Sequence, residues 1–531
     1  MTDTDRALTL PDLIRRQARL QPERVAICDG DRTTTYGALD RHSNRIAQAL
    51  YQSGLAPGER VAILDRDRDD VFAVVFGIAK AGGVVLGLNW RLTAPEQLFQ
   101  LEDAGVRTLF VGPDFLDRAA DLVAGCPQLR TVVAFDHRDG HRDGHRDGPF
   151  PTLQRFCEGA PAADPGVAIA PDDLAVQMYT SGTTGNPKGV MLAHRSFFAV
   201  VESLRAAGDP WIGWHEHDVT MCGMPSFHIG GMWWAMTSFN AGATYVVLDA
   251  FAGWKVLRKV ERHLITKLCL VPAMIQVCLS EPEAATADLS SLQCIVYGGS
   301  PIPRPVLEQA IRTFACDFAQ IYGLTETGNT AVCLRPEDHR KPQLLLAAGR
   351  PYPCVRIKVI DQDGRELGPG ELGEICIHSG GNMLGYHGRA DATAATLRDG
   401  WVHTGDAGHV DADGYVFVSD RVKDMISCAG ENVYPAEVES VLSGHPAVAE
   451  IGVIGVPDET WGESVHAVVV PSKGAMVTLD ELQSFGRGQL ADFKLPRSMT
   501  LAQDLPRTPS GKIKKAELRA PFWRGRERNV Q

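Results

Sequence analysis

Residues 179–189 read YTSGTTGNPKG, and the reading of this stretch decides the rest. The run before it, residues 174–179 (LAVQMY), is apolar and of strand type. Residues 190–193 (VMLA) form a second apolar run, and a helical pattern begins at His194. A polar, glycine-rich loop is thus held between two ordered elements. Gly182, Gly185 and Gly189 let the backbone bend and come close to a ligand. Thr180, Ser181, Thr183 and Thr184 supply hydroxyls, and Lys188 supplies a fixed positive charge. That inventory suits a polyphosphate. It is not a Walker A loop, because no Gly-Lys-Ser/Thr closes a four-residue gap. A surface linker would share the small residues but has no need of the Pro-Lys-Gly ending or of strands on both sides.

The chain has 531 residues, more than one hydrophobic core usually holds, so two or more domains are expected. Hydrophobic residues make up 44% and charged residues 22%, the balance of a soluble globular protein. A net charge of −12 argues against general nucleic-acid binding and against an anionic membrane surface, so a phosphate site must be locally positive. The 12 cysteines include no C-x-x-C pair, which reads as reduced thiols in a cytoplasmic chain rather than a disulfide framework or zinc site. The N-terminus lacks the apolar core of a signal peptide, and no apolar run is long enough to predict a membrane span.

Helical spacing at 11–20 is followed by an alternation: an apolar run at 61–64, a helical stretch at 70–81, a second run at 84–88, helical spacing at 95–104 and a third run at 108–111. Strands alternating with helices point to βαβ units and a parallel sheet. Residues 137–148 repeat HRDG three times; the His and Asp could bind metal, but the segment has nothing apolar to bury and reads as a solvated loop. Residues 224–234 (MPSFHIGGMWW) read, on residues alone, as core packing with one satisfied histidine. At 292–303 an apolar strand ends in Gly298-Gly299-Ser300, and at 318–327 another runs into Gly323-Leu-Thr325-Glu326-Thr. Ligands of open α/β sheets sit beyond the carboxyl ends of strands, where both turns lie. Further on come WVHTGD at 401–406, DRVKD at 420–424, AGENVYP at 429–435 and TPSGK at 508–512.

These stretches occur in the order, and at plausible spacing, of the adenylate-forming superfamily, which the chain strongly resembles over nearly its whole length. That superfamily comprises acyl-CoA synthetases, non-ribosomal adenylation domains and beetle luciferases. The endings GENVYPAEVE and TPSGKI look most like free-standing fatty-acyl or 4-coumarate-type ligases. The resemblance implies an α/β fold, with a large multi-layered N-terminal domain at 1–420, a hinge at 421–423 and a small mobile α+β domain at 424–531. It implies ATP, Mg2+ and coenzyme A, with acyl-AMP formed first and its acyl group then passed to a thiol. By the same resemblance Thr180 to Lys188 cradle the phosphates, Glu326 holds magnesium and Thr325 contacts the α-phosphate. Gly299, Ser300, Tyr322 and Gly323 line the nucleotide, and Asp406 takes the ribose with Arg421 nearby. Lys512 bridges carboxylate and α-phosphate, Lys423 is the pivot, and Gly430 lines the pantetheine tunnel. His228 becomes part of a substrate gate, and with Ile229, Trp233, Trp234, Gly298 and Asn329 it forms the acyl pocket. Amino-acid-activating members place an aspartate where this chain has His228; a buried ammonium without a carboxylate is costly. No acid occurs in 224–240, so an apolar or aromatic acid is expected. The alternative is an enzyme that loads a separate acyl carrier protein; the chain ends too soon after Lys512 to hold such a carrier. No nucleic-acid partner is expected, and a homodimer is left open.

Overall fold

The computed structural model describes residues 7–136, 149–180, 187–421, 424–428, 431–458, 461–507 and 513–524, excepting the side chains of 420–421 and 431–432. The HRDG repeat lies outside these residues. Among the described residues, four sheets organise the chain. In a nine-stranded sheet the strands Val25–Asp29, Thr244–Val246, Val219–Cys222, Lys267–Leu270, Cys294–Gly298 and Asp317–Tyr322 run parallel, and antiparallel strands close both edges. A seven-stranded sheet has a parallel body built from Thr131–Ala134, Thr108–Val111, Arg60–Leu64, Val84–Gly87 and Leu174–Thr180. Its antiparallel edge is Lys188–Ala193 and then Gly385–Tyr386. The expected alternation over 60–111 is present, with helices Asp69–Lys80 and Ala94–Asp103 between its strands.

Between the large sheets lie two helices that are apolar almost all round, the pattern of a helix covered on every side. All twelve residues of Asp69–Lys80 are buried, and ten residues of Ile229–Ala241 are. They meet through Phe72 and Phe239, whose ring centroids are 5.5 Å apart edge to face, and Tyr245 packs 5.2 Å from Phe72. A Cβ on Gly77 would stand 2.6 Å from Ile46 Cγ2, so glycine sets how closely helix Tyr36–Gln52 crosses this layer. Lys80 is tolerated in the core because its ammonium donates to Asp40 Oδ1 at 2.5 Å and Asn44 Oδ1 at 2.6 Å.

A third, antiparallel sheet joins Val355–Ile360, Gly373–Ser379 and Trp401–Val410, with Leu397–Arg398 and Val416–Arg421 on the last of these. The fourth uses only strands from Ile426 onward: the long hairpin Val448–Asp458/Gly462–Pro471, with Ile426–Cys428, Glu431–Val433 and Ser498–Leu501. It has its own core of Ile426, Val438, Val453, Val465, Val469 and Leu482. Among the described residues no helix is long and apolar enough to cross a membrane. One local expectation is corrected. The helical pattern at His194 opens as a 3-10 turn, His194–Phe197, and the α-helix begins only at Ala199. The buried His194 accepts the Leu10 amide at Nδ1, 3.3 Å away, which ties the N-terminal helix down.

Candidate active site

The strands on either side of the glycine-rich stretch pair with each other. Leu174–Thr180 and Lys188–Ala193 pair antiparallel with Thr180 opposite Lys188. Ser181, Gly182, Thr183, Thr184 and Gly185 lie outside the described residues, as do Lys423, Gly430, Lys512 and the side chain of Arg421. The two ends of the loop are nevertheless fixed, and Lys188 is aimed: its ammonium sits 5.1 Å from the ring centroid of Tyr386. Tyr386 is carried beside it by the edge strand Gly385–Tyr386. Its phenol donates to Glu326 Oε1 at 2.8 Å. Glu326 is held in turn in a 3-10 turn, Thr325–Thr327, and its carbonyl accepts the Met383 amide at 2.8 Å. The structure therefore joins the loop lysine to Glu326 through one aromatic ring. The sequence reading missed Tyr386, which no local pattern marks.

A second convergence lies at the carboxyl ends of Cys294–Gly298 and Asp317–Tyr322. Gly298 sits opposite Ile321, and a Cβ there would be 2.3 Å from the Ile321 carbonyl oxygen, so no larger residue fits. Gly299 leaves the strand at φ +87°, a left-handed turn that glycine adopts without strain. Tyr322 ends its strand and donates its phenol to Asp406 Oδ2 at 2.8 Å. Asp406 is 5% exposed and belongs to the antiparallel sheet, where its backbone pairs with Arg421. One hydrogen bond thus ties two predicted nucleotide residues from different sheets. Gly323 is close-packed as well, since a Cβ would lie 2.2 Å from the Asn329 carbonyl oxygen.

The third group surrounds the start of helix Ile229–Ala241. His228 is its N-cap residue. Burial, reinforced by Arg91, lowers the His228 pKa to about 4, so the ring is neutral at pH 7. Among the described residues its Nε2 is enclosed with no hydrogen-bond partner, and so is Asn329 Nδ2. Asn329 holds a left-handed φ of +88°, and a Cβ on Gly230 would stand 3.7 Å from its Oδ1. Such enclosed polar atoms normally take their partner from ordered water or a bound ligand. The turn before His228 is clamped by Asp67, whose carboxylate accepts the Ser226 amide at 3.0 Å and the Ser226 hydroxyl at 2.5 Å. Asp67 was also missed, hidden in the charged run DRDRDD. Ile229 is half-buried, whereas Trp233 and Trp234 are closed inside the core against Trp211 and Trp214, at centroid distances of 6.0 and 5.0 Å.

Lys188, Tyr386 and Glu326 thus meet at one place and Tyr322 and Asp406 at another, both at the ends of strands. The family model for AMP-binding enzymes matches residues 14–387, and the model for their C-terminal domain matches 437–512. The chain belongs to the AMP-binding enzyme family, and it is an AMP-forming acid–thiol ligase. It is 48% identical to the fatty acid–[acyl-carrier-protein] ligase ScoC of Streptomyces coeruleorubidus over 507 residues, 95% of each chain. It is 36% identical to feruloyl-CoA synthase of an Amycolatopsis species over 514 residues, 96% of this chain and 98% of the relative. The solved anthranilate CoA ligase AuaEII, in complex with anthranoyl-AMP, superposes with a TM-score of 0.88 at 26% identity, covering 98% of this chain and 99% of that one.

The family uses ATP and Mg2+. Magnesium is usually held by one or two carboxylates together with substrate phosphates, and the Glu326 carboxylate near Lys188 suits that mode. Glu326 would hold the ion, which supplies positive charge against the phosphate oxygens.

Proposed function

We propose that this enzyme condenses an apolar carboxylic acid, fatty, aryl or cyclic, with ATP to give acyl-AMP and pyrophosphate, then transfers the acyl group to the thiol of coenzyme A. The observation that carries the choice of acid is the wall from Met224 to Asn240. It holds no acidic side chain, and its one titratable group, His228, is neutral. The wall's own residues offer an ammonium no carboxylate, and the neighbouring Asp67 is engaged by the Ser226 amide and hydroxyl, whereas an apolar chain needs no partner there.

In this reading the hairpin from Thr180 to Lys188, including Ser181, Gly182, Thr183, Thr184 and Gly185, cradles the β- and γ-phosphates. Thr325 contacts the α-phosphate. Gly299, Ser300 and Tyr322 line the base, Gly323 lies at the nucleotide, and Asp406 accepts the ribose hydroxyls with Arg421 nearby. Bringing a carboxylate to a phosphate sets two anions together, and Lys512 bridges them. His228, Ile229, Gly298 and Asn329 face the acyl group, with Trp233 and Trp234 behind. The small domain, 424–531, turns on Lys423 between the half-reactions and presents Gly430 to the pantetheine arm.

A second acceptor is favoured by one specific observation, the 48% identity to an enzyme named for loading an acyl carrier protein. Thiol dependence separates the two. With a matched acid and ATP, free coenzyme A at submillimolar concentration should be consumed stoichiometrically with AMP release. Thioester formation only on a purified carrier protein would replace the first acceptor by the second.

A further inference from the structure

The strand that carries Asp406 is broken where it matters. Along Gly373–Ser379 the register passes from Glu374 to Cys376, while the partner passes from Ala407 back to His403. Thr404, Gly405 and Asp406 therefore bulge out of the ladder with Gly373–Ser379, while Asp406 keeps its pairing with Arg421 on the other side, and Gly405 takes the left-handed φ of +65°. Bulges re-aim side chains, and each leaves backbone groups without ladder partners. Here side chains supply them. Glu374 Oε1 accepts the Gly405 amide at 2.9 Å, and the Thr404 hydroxyl donates to the Ile375 carbonyl at 2.7 Å while accepting the Asp406 amide at 3.0 Å. The other oxygen of Glu374 lies 3.1 Å from His403 Nδ1, which fixes the direction of the carboxylate.

We infer that Glu374 is a positioning residue for nucleotide binding, its carboxylate standing in for the lost ladder partner of Gly405 and so holding the bulge that aims Asp406. The inference rests on the assignment of Asp406 to the ribose hydroxyls. Without Glu374 the Gly405 amide loses the acceptor that replaces its missing ladder partner, at a left-handed backbone position that glycine alone holds without strain. Asp406 would then lose its fixed bearing relative to Tyr322. The effect belongs to recognition of ribose hydroxyls and not to the phosphates or the acid.

The test compares ATP with 2′-deoxyATP and 3′-deoxyATP in acid-dependent pyrophosphate release, reading kcat/KM for each. The wild-type enzyme should prefer ATP over at least one deoxy analogue by about tenfold or more, the size of one hydrogen bond to a charged group. Glu374→Ala should bring that ratio close to one, with KM for the acid unchanged. Glu374→Asp, which keeps the charge and most of the packing but retracts the oxygen from Gly405, should do the same and guards against a folding defect in the alanine variant. Glu374→Gln keeps an acceptor for the Gly405 amide and should retain the ratio. Lys358→Ala, a change on the neighbouring strand, should retain it too. If the wild type discriminates and the Ala and Asp variants discriminate equally well, Glu374 does not position Asp406. Loss of the ratio in Glu374→Gln as complete as in Ala would assign the effect to charge beside His403 and would also overturn the inference. If the wild type shows no preference for either hydroxyl, the ribose assignment of Asp406 falls, and this inference with it.

Discussion

Tyr386 joins the two charged groups expected to handle the phosphates, so its removal in two stages dissects the site. Tyr386→Phe deletes only the phenol that donates to Glu326 Oε1 at 2.8 Å. The ring stays under Lys188, whose ammonium lies 5.1 Å from its centroid. Hydrogen bonds to charged groups contribute about 1.5–3 kcal/mol, so the rate of adenylation should fall roughly 10- to 100-fold. Tyr386→Leu removes the ring as well; a partly desolvated cation–π contact adds about 1–2 kcal/mol, a further factor of roughly 5 to 30. Tyr386 is 7% exposed, so solvent does little to screen either contact. The assay is single-turnover pyrophosphate release at saturating acid, with thioester formation from premade acyl-adenylate as the internal control. Only the first should suffer. In a double-mutant cycle with Glu326→Gln, the Phe substitution should cost much less than in the wild-type background, because the bond it removes is already weakened. A wild-type rate in Tyr386→Phe, or full additivity with Glu326→Gln, would refute the view that the phenol orients the carboxylate.

Lys512→Ala should slow adenylation on the order of a hundred- to a thousandfold and spare transfer from premade adenylate, as measured in separate half-reactions. Gly430→Leu should do the reverse, since a side chain would obstruct a thiol arm passing close to backbone; equal damage to both steps would remove the tunnel assignment. Amino acids should be poor substrates beside apolar acids in a pyrophosphate-release panel. Burial lowers the His194 pKa from the ordinary 6.5 to about 4, so the unfolded chain binds the extra proton first as pH falls. The stability that the neutral ring contributes is complete above pH 6.5 and is lost as pH falls toward 4. The full difference is about 3 kcal/mol, and urea melts of wild type against His194→Gln should lose their gap over that window.

Much of the fold was legible because its signals are local. The alternation over 60–111 follows from side-chain period alone, and the ordered runs either side of the glycine-rich loop were visible as apolar stretches, although their antiparallel pairing was not. Gly298 and Gly299 marked the strand end correctly because glycine there answers a steric demand, the Ile321 carbonyl 2.3 Å from a virtual Cβ. The site's internal wiring was not legible. Tyr386 meets Glu326 across 60 residues and Tyr322 meets Asp406 across 84, and no local pattern encodes such pairs. The bulge at Thr404–Asp406 is set by register against a neighbouring strand, which a single run of residues cannot display. At 229–234 the sequence showed aromatic residues but not their faces, and packing turned Trp233 and Trp234 into the core while, among the described residues, leaving the Nε2 of His228 without a partner.

The most direct measurement is product analysis. The purified enzyme is incubated with ATP, Mg2+, a panel of apolar carboxylic acids and coenzyme A, and nucleotides and thioesters are quantified together. The account predicts acid-dependent AMP and pyrophosphate in equal amounts, with one thioester formed per AMP. Acid-independent release of ADP and phosphate, with no acyl-adenylate trapped when the thiol is withheld, would contradict it.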